Sequence, residues 1–91
     1  MAIEITKFKK YTKNTLRGFF TARLTGVGLE IRDMTLHQKN GKRWVSMPAK
    51  PYEKEDGGQG WSYIVKFYDD ALGKQFQKAV LQALDSYNDN R

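Results

Sequence analysis

In residues 15–25, TLRGFFTARLT, Leu16, Phe20, Ala22 and Leu24 occupy even positions and Arg17, Phe19, Thr21 and Arg23 odd ones. Side chains of a β-strand point to alternate faces, so the spacing predicts a strand with one apolar face and one face that sets a ring between guanidinium groups. A helical period occurs once, at the other end of the chain, where Leu72, Phe76, Ala79, Val80, Ala83, Leu84 and Tyr87 recur at close to 3.6 residues. A single helix covers a single face of a sheet. The face carrying Arg17, Phe19 and Arg23 therefore meets water, a second copy or a ligand.

The remaining pattern is that of strands. Residues 3–13, IEITKFKKYTK, mix β-formers with lysines, and the parity of Ile3 and Ile5 breaks at Phe8, which predicts a bulge near Thr6. In residues 27–37, Val27, Leu29 and Ile31 alternate with polar residues until the parity shifts to Met34 and Leu36, so a second bulge is expected after Asp33. Asn40-Gly41 marks a two-residue hairpin turn, because both residues tolerate positive φ, and residues 43–47 return antiparallel. Pro48 ends that strand. The segment PAKPYEKEDGGQG, rich in Pro, Gly and charge, reads as one long mobile loop, and residues 61–68, WSYIVKFY, as the last strand, with Trp61, Tyr63, Val65 and Phe67 on one side. Asp69 or Asp70 caps the helix, whose end, DSYNDNR, is expected to fray. The class is α+β: one domain over residues 1–91, with a twisted, mostly antiparallel sheet of four or five strands and one C-terminal amphipathic helix on one face.

Composition narrows the function. With 40 % hydrophobic and 29 % charged residues the chain belongs among globular domains, and it has no apolar run of the ~20 residues a membrane span requires. There is no cysteine and no apolar leader block, which predicts a cytoplasmic protein without disulfides or thiolate metal sites. The net charge is +6, and it is uneven. Residues 1–50 carry eleven Lys and Arg against three acids, a surplus of +8, while residues 51–91 carry five against seven. Such a basic half attracts polyanions, chiefly nucleic acid.

Catalysis finds little support. His37 is the only histidine, it adjoins a hairpin turn and reads as a solvated strand-end residue, and the acids at 53–56 lie in the loop. Gly57, Gly58 and Gly60 lead into a strand, whereas a phosphate-cradling loop leads into a helix. The chain is expected to be no enzyme and to use no cofactor or metal. Basic residues interleaved with rings are the stronger lead: KFKKYTK, RGFFTAR and GKRWVSMPAK each set an aromatic among cations. Single-stranded nucleic acid is held in this way, phosphates by cations and unstacked bases by rings. The candidate contact residues are Lys7, Lys9, Arg17, Phe19, Arg23, Arg32, Lys42, Arg43, Trp44 and Lys50. Two other readings stand beside this one: Phe19 buried in a homodimer interface, where arginine is also enriched, and the lysines of residues 3–13 guarding an edge strand.

Residues 33–50, DMTLHQKNGKRWVSMPAK, resemble the central segment of the SpoVG family of bacterial septation and sporulation regulators. The resemblance rests on Asp33, Gly41, Met47-Pro48 and Lys50, with IEITKFKKY before them and KAVLQAL after. It implies a small, dimeric, bacterial or phage-encoded regulator that binds DNA or RNA through a sheet backed by a C-terminal helix. The segment after Pro48 is longer than the family pattern, the His-Pro after the last strand is missing, and the C-terminal end is acidic at Asp85 and Asp89. Septation itself is therefore not carried over. An engagement of a protein partner by the exposed sheet face is the alternative, and the curved four-stranded sheet and helix of single-stranded-DNA-binding transcriptional coactivators is a related possibility for the fold.

Overall fold

A computed structural model of the chain describes residues 1–89. Its elements are β1 (Ile3–Lys13), β2 (Leu16–Leu24), β3 (Leu29–Lys39), β4 (Lys42–Ser46), β5 (Ala49–Glu53), β6 (Gln59–Tyr63) and α1 (Asp70–Asp89). Strands β1 to β4 form an antiparallel meander in the order β1-β2-β3-β4, and β5 and β6 form a separate two-stranded antiparallel sheet. The fold is α+β, as expected.

Alternation decides the faces. On β2, Phe20, Ala22 and Leu24 are buried, while Phe19 and Arg23 are exposed. The bulge expected near Thr6 lies between Ile5 and Lys7, where β1 slips against β2. The second is the slip of β3 against β2 between Ile31 and Met34, and Asp33 there has a φ of 59°. Both slips keep apolar residues on one side of the sheet although the sequence parity changes. Asn40 and Gly41 take φ of 53° and 80°, the signature of a type I′ turn, and this fixes His37 opposite Trp44 and Leu36 opposite Val45.

Ile5, Phe20, Ala22, Leu24, Ile31, Met34, Leu36 and Val45 from the sheet enclose Phe76, Val80 and Leu84 from α1. The helix starts at an Asp69 cap, whose Oδ1 accepts the Leu72 N–H at 3.0 Å. Leu72, expected on the apolar face, is exposed in that first turn. The end expected to fray stays helical through Asp89, and Asn90 and Arg91 lie outside the described residues. The helix approaches the outer strands β1 and β4 most closely, so the sheet curls around it.

Two expectations fail together. The supposed mobile loop is a hairpin, Ala49 pairing with Tyr63 and Glu53 with Gln59, and the supposed last strand ends at Tyr63. Trp61 and Tyr63 are exposed, and only Val65 and Phe67, beyond the strand, lean on the core. Pro51 did not prevent pairing because β5 is an edge strand, where a missing N–H can face solvent. The Tyr52 ring lies over Gly60, where an added Cβ would come within 2.6 Å of it, so the glycine admits the ring. Val27, expected to open β3, lies in the turn before Leu29.

Candidate nucleic-acid interface

The sheet face opposite α1 carries rings in two pairs. Tyr11 and Phe19 lie with centroids 5.8 Å apart, and Trp44 stacks on His37 at 5.5 Å with 7° between planes. Tyr11, Phe19 and Trp44 remain 47 %, 37 % and 36 % exposed. Phe19 is on β2 and Trp44 on β4, two strand spacings or roughly 10 Å apart, so the pairs present separate platforms. Thr35 of β3 lies between them, paired with Phe19 on one side and Ser46 on the other.

His37 is not the solvated residue expected of it. Its Nδ1 is 2.9 Å from the Thr15 hydroxyl and its Nε2 2.9 Å from the Thr35 hydroxyl. Half-burial, and secondarily the charge of Arg17, hold its pKa below the ordinary histidine value. A neutral imidazole has one N–H to give and one lone pair to fill, and a hydroxyl can accept or donate. The two threonines satisfy both nitrogens and set the ring plane on which Trp44 rests.

The candidate cations divide into three groups. Lys7 lies opposite Thr21 and Lys9 opposite Phe19, beside the rings. Arg17 is fixed by its own backbone, donating to the Asn14 carbonyl at 2.7 Å and the Leu16 carbonyl at 3.1 Å, which leaves its charge unneutralised. Lys42 pairs with Lys39 at the turn, and alternation puts both on the side of His37 and Trp44. Lys7, Lys9, Arg17, Lys39 and Lys42 make no ion pair among the described residues.

Arg23 and Arg32 share this face but are engaged by Glu30. Arg23 Nε donates to Glu30 Oε1 at 2.9 Å and Arg32 Nε to Oε2 at 2.8 Å, with Glu4 3.6 Å from Arg23. The two guanidinium bonds, that of Arg32 first, hold the Glu30 carboxyl below the usual carboxylate range. Two residues fall elsewhere. Arg43 has the parity of Val45 and points to the helix side, where its Nη1 and Nη2 grip Asp85 at 2.8 and 3.1 Å. Lys50 is on β5, opposite Ser62, apart from the four-stranded sheet. Grouping Arg43 with Trp44 fails because neighbours along a strand face opposite ways.

Tyr11, His37 and Lys39 also lie on this face and were not among the candidates. Each left a signal. Tyr11 lies inside KFKKYTK, and counting back from the Asn40-Gly41 turn pairs 39 with 42 and 37 with 44.

Comparison with protein-family models, curated proteins and solved structures returns no match. The residues behind the SpoVG resemblance occupy structural positions: Asp33 at a bulge, Gly41 in a turn, Met47 against the core and Pro48 at the end of β4. No helix among the described residues is long and apolar enough to cross a membrane.

Proposed function

We propose that the chain is a non-enzymatic nucleic-acid-binding protein of a regulatory kind, and that it holds single strands on the sheet face opposite the helix. One observation carries this reading. The two exposed ring pairs, Tyr11–Phe19 and His37–Trp44, lie among five cations without carboxylate partners, Lys7, Lys9, Arg17, Lys39 and Lys42. Bases stack on the rings for ~1 to 3 kcal/mol each, and the cations release counterions from the phosphates. Duplex is disfavoured because the one helix spends its apolar face on the sheet and offers Lys74 and Lys78 alone on its described outer surface.

Fluorescence anisotropy of labelled single-stranded DNA, single-stranded RNA and duplex DNA at two salt concentrations tests the proposal. Single strands bind in a salt-sensitive manner; Phe19→Ala, Trp44→Ala and Arg17→Gln each weaken binding, while Arg43→Gln leaves the salt slope unchanged. Equal binding by wild type and the three face variants, or no binding at low salt, refutes it, and the face then serves a protein partner.

A further inference from the structure

Among the described residues the β5–β6 hairpin makes no close packing with another strand or the helix, and the described chain is drawn out to 45 Å in its longest dimension. A lone two-stranded hairpin is marginal in water. This one also displays Trp61, Tyr63 and Ile64 at 65 %, 55 % and 65 % exposure, with Pro51 across from Trp61. The body of the same chain has an apolar groove of about 450 Å³, lined by Leu24, Val27, Leu29, Ile31, Met47 and Phe67. Val27 and Leu29 on its rim are exposed. An exposed aromatic and aliphatic arm and an apolar groove are thus both left uncovered on one chain.

We infer that the hairpin of one copy seats Trp61 and Ile64 in the groove of a second copy, and receives that copy's hairpin in its own groove. The exchange is isologous, each chain giving one arm and one groove, so the assembly closes at two. An aromatic side chain buries roughly 150–250 Å² and an aliphatic one less, so covering two arms and two groove rims removes on the order of 1,000 Å² from water, the floor for a specific interface. Charge points the same way. Glu53, Glu55 and Asp56 against Lys54 leave the arm tip net acidic, and the groove offers only Lys66 among its side-chain charges. Apolar lining and a net acidic tip favour a protein surface over a polyanion as the occupant. The groove lies on the helix side of the sheet, and the dimer leaves the ring-bearing face open.

Sedimentation equilibrium of the full chain over roughly 5–100 µM, a range suited to interfaces of this size, tests the exchange. Wild type sediments at twice the 10.6 kDa chain mass. An arm variant, Trp61→Ser with Ile64→Ser, and a groove variant, Val27→Asp with Leu29→Asp, both sediment as monomers. The substituted side chains are exposed, so far-UV circular dichroism and the thermal midpoint stay near those of a folded monomer. Phe19→Ala remains a dimer. A monomeric wild type, a dimer in either double variant, or a monomeric Phe19→Ala overturns the inference.

Discussion

Gln77 closes the outer edge of the sheet with one side chain. On the edge strand β4, the Val45 N–H donates to Gln77 Oε1 at 3.0 Å and Gln77 Nε2 donates to the Val45 carbonyl at 2.6 Å, so an amide stands where a fifth strand would pair. Gln77→Glu keeps the size and removes the donor. Near pH 7 the carboxylate still accepts from the Val45 N–H but faces the Val45 carbonyl with a second acceptor. Losing that bond and leaving a part-buried carbonyl unpaired costs about 1–3 kcal/mol. For a chain of 91 residues, an unfolding entropy of ~2.1 cal/mol/K per residue makes this a fall of roughly 5–15 °C in thermal midpoint. Protonation restores one donor and one acceptor, so folding raises the pKa of the introduced carboxyl above the ordinary ~4.3. The recovered stability is complete below the unfolded value and is lost as pH rises through the folded one. The assay is the midpoint of the variant minus that of wild type, by circular dichroism, near pH 4 and near pH 7, with Gln77→Ala as the control whose deficit does not change. A Gln77→Glu deficit equal at both pH values, or absent near neutrality, refutes the clamp.

Gly18→Ala lowers the thermal midpoint, because the new Cβ would stand 2.5 Å from Phe8 Cζ and 2.9 Å from the Lys9 carbonyl oxygen; overpacking of this kind costs roughly 1–3 kcal/mol, and the modest gain an unhindered Gly→Ala brings would contradict the contact. His37, the only histidine, titrates by NMR below the ordinary value, so its neutral form adds stability that is present above that value and lost as pH falls below it. Single-stranded DNA raises this pKa and binds more tightly as pH falls; a pKa unmoved by DNA shows that phosphate does not approach the His37–Trp44 platform.

The four-stranded sheet was legible because its signals are local. Period-two alternation set the faces of β2, a parity change located two of the four register shifts but not those at Lys10–Lys13 and Leu16–Gly18, and Asn40-Gly41 fixed the β3–β4 register. The hairpin of β5 and β6 was not legible, since Pro51, Gly57, Gly58 and Gly60 are loop residues by local preference. What admits them is specific to this pairing: an edge position for Pro51 and the Tyr52 ring over Gly60. At the site, alternation put Phe19 and Trp44 on the open face correctly and would have removed Arg43. The engagement of Arg23 and Arg32 was hidden for another reason. Glu30 and Arg23 are opposed only once the β2–β3 register is known, and the bulge at Arg32-Asp33 changes the spacing to the next residue.

Most of the acids of the chain lie away from the rings, Asp33 at the β3 bulge two residues from Thr35 being the exception. Glu4 and Glu30 gather at the Arg23 end of the open face, and Asp85 holds Arg43 on the opposite side of the sheet. Glu53, Glu55 and Asp56 are at the tip of the β5–β6 hairpin. A net charge of +6 thus understates the field over Tyr11, Phe19 and Trp44, because exposed charges beyond a Debye length of about 8 Å contribute little at physiological salt. On the proposed reading the Glu30 cluster is a boundary: a strand laid along the open face would meet free cations beside both ring pairs and a neutralised patch at the Arg23 end. On that reading the register of β2 against β3, which brings Arg23 opposite Glu30, is what would limit how far along the sheet a polyanion is attracted.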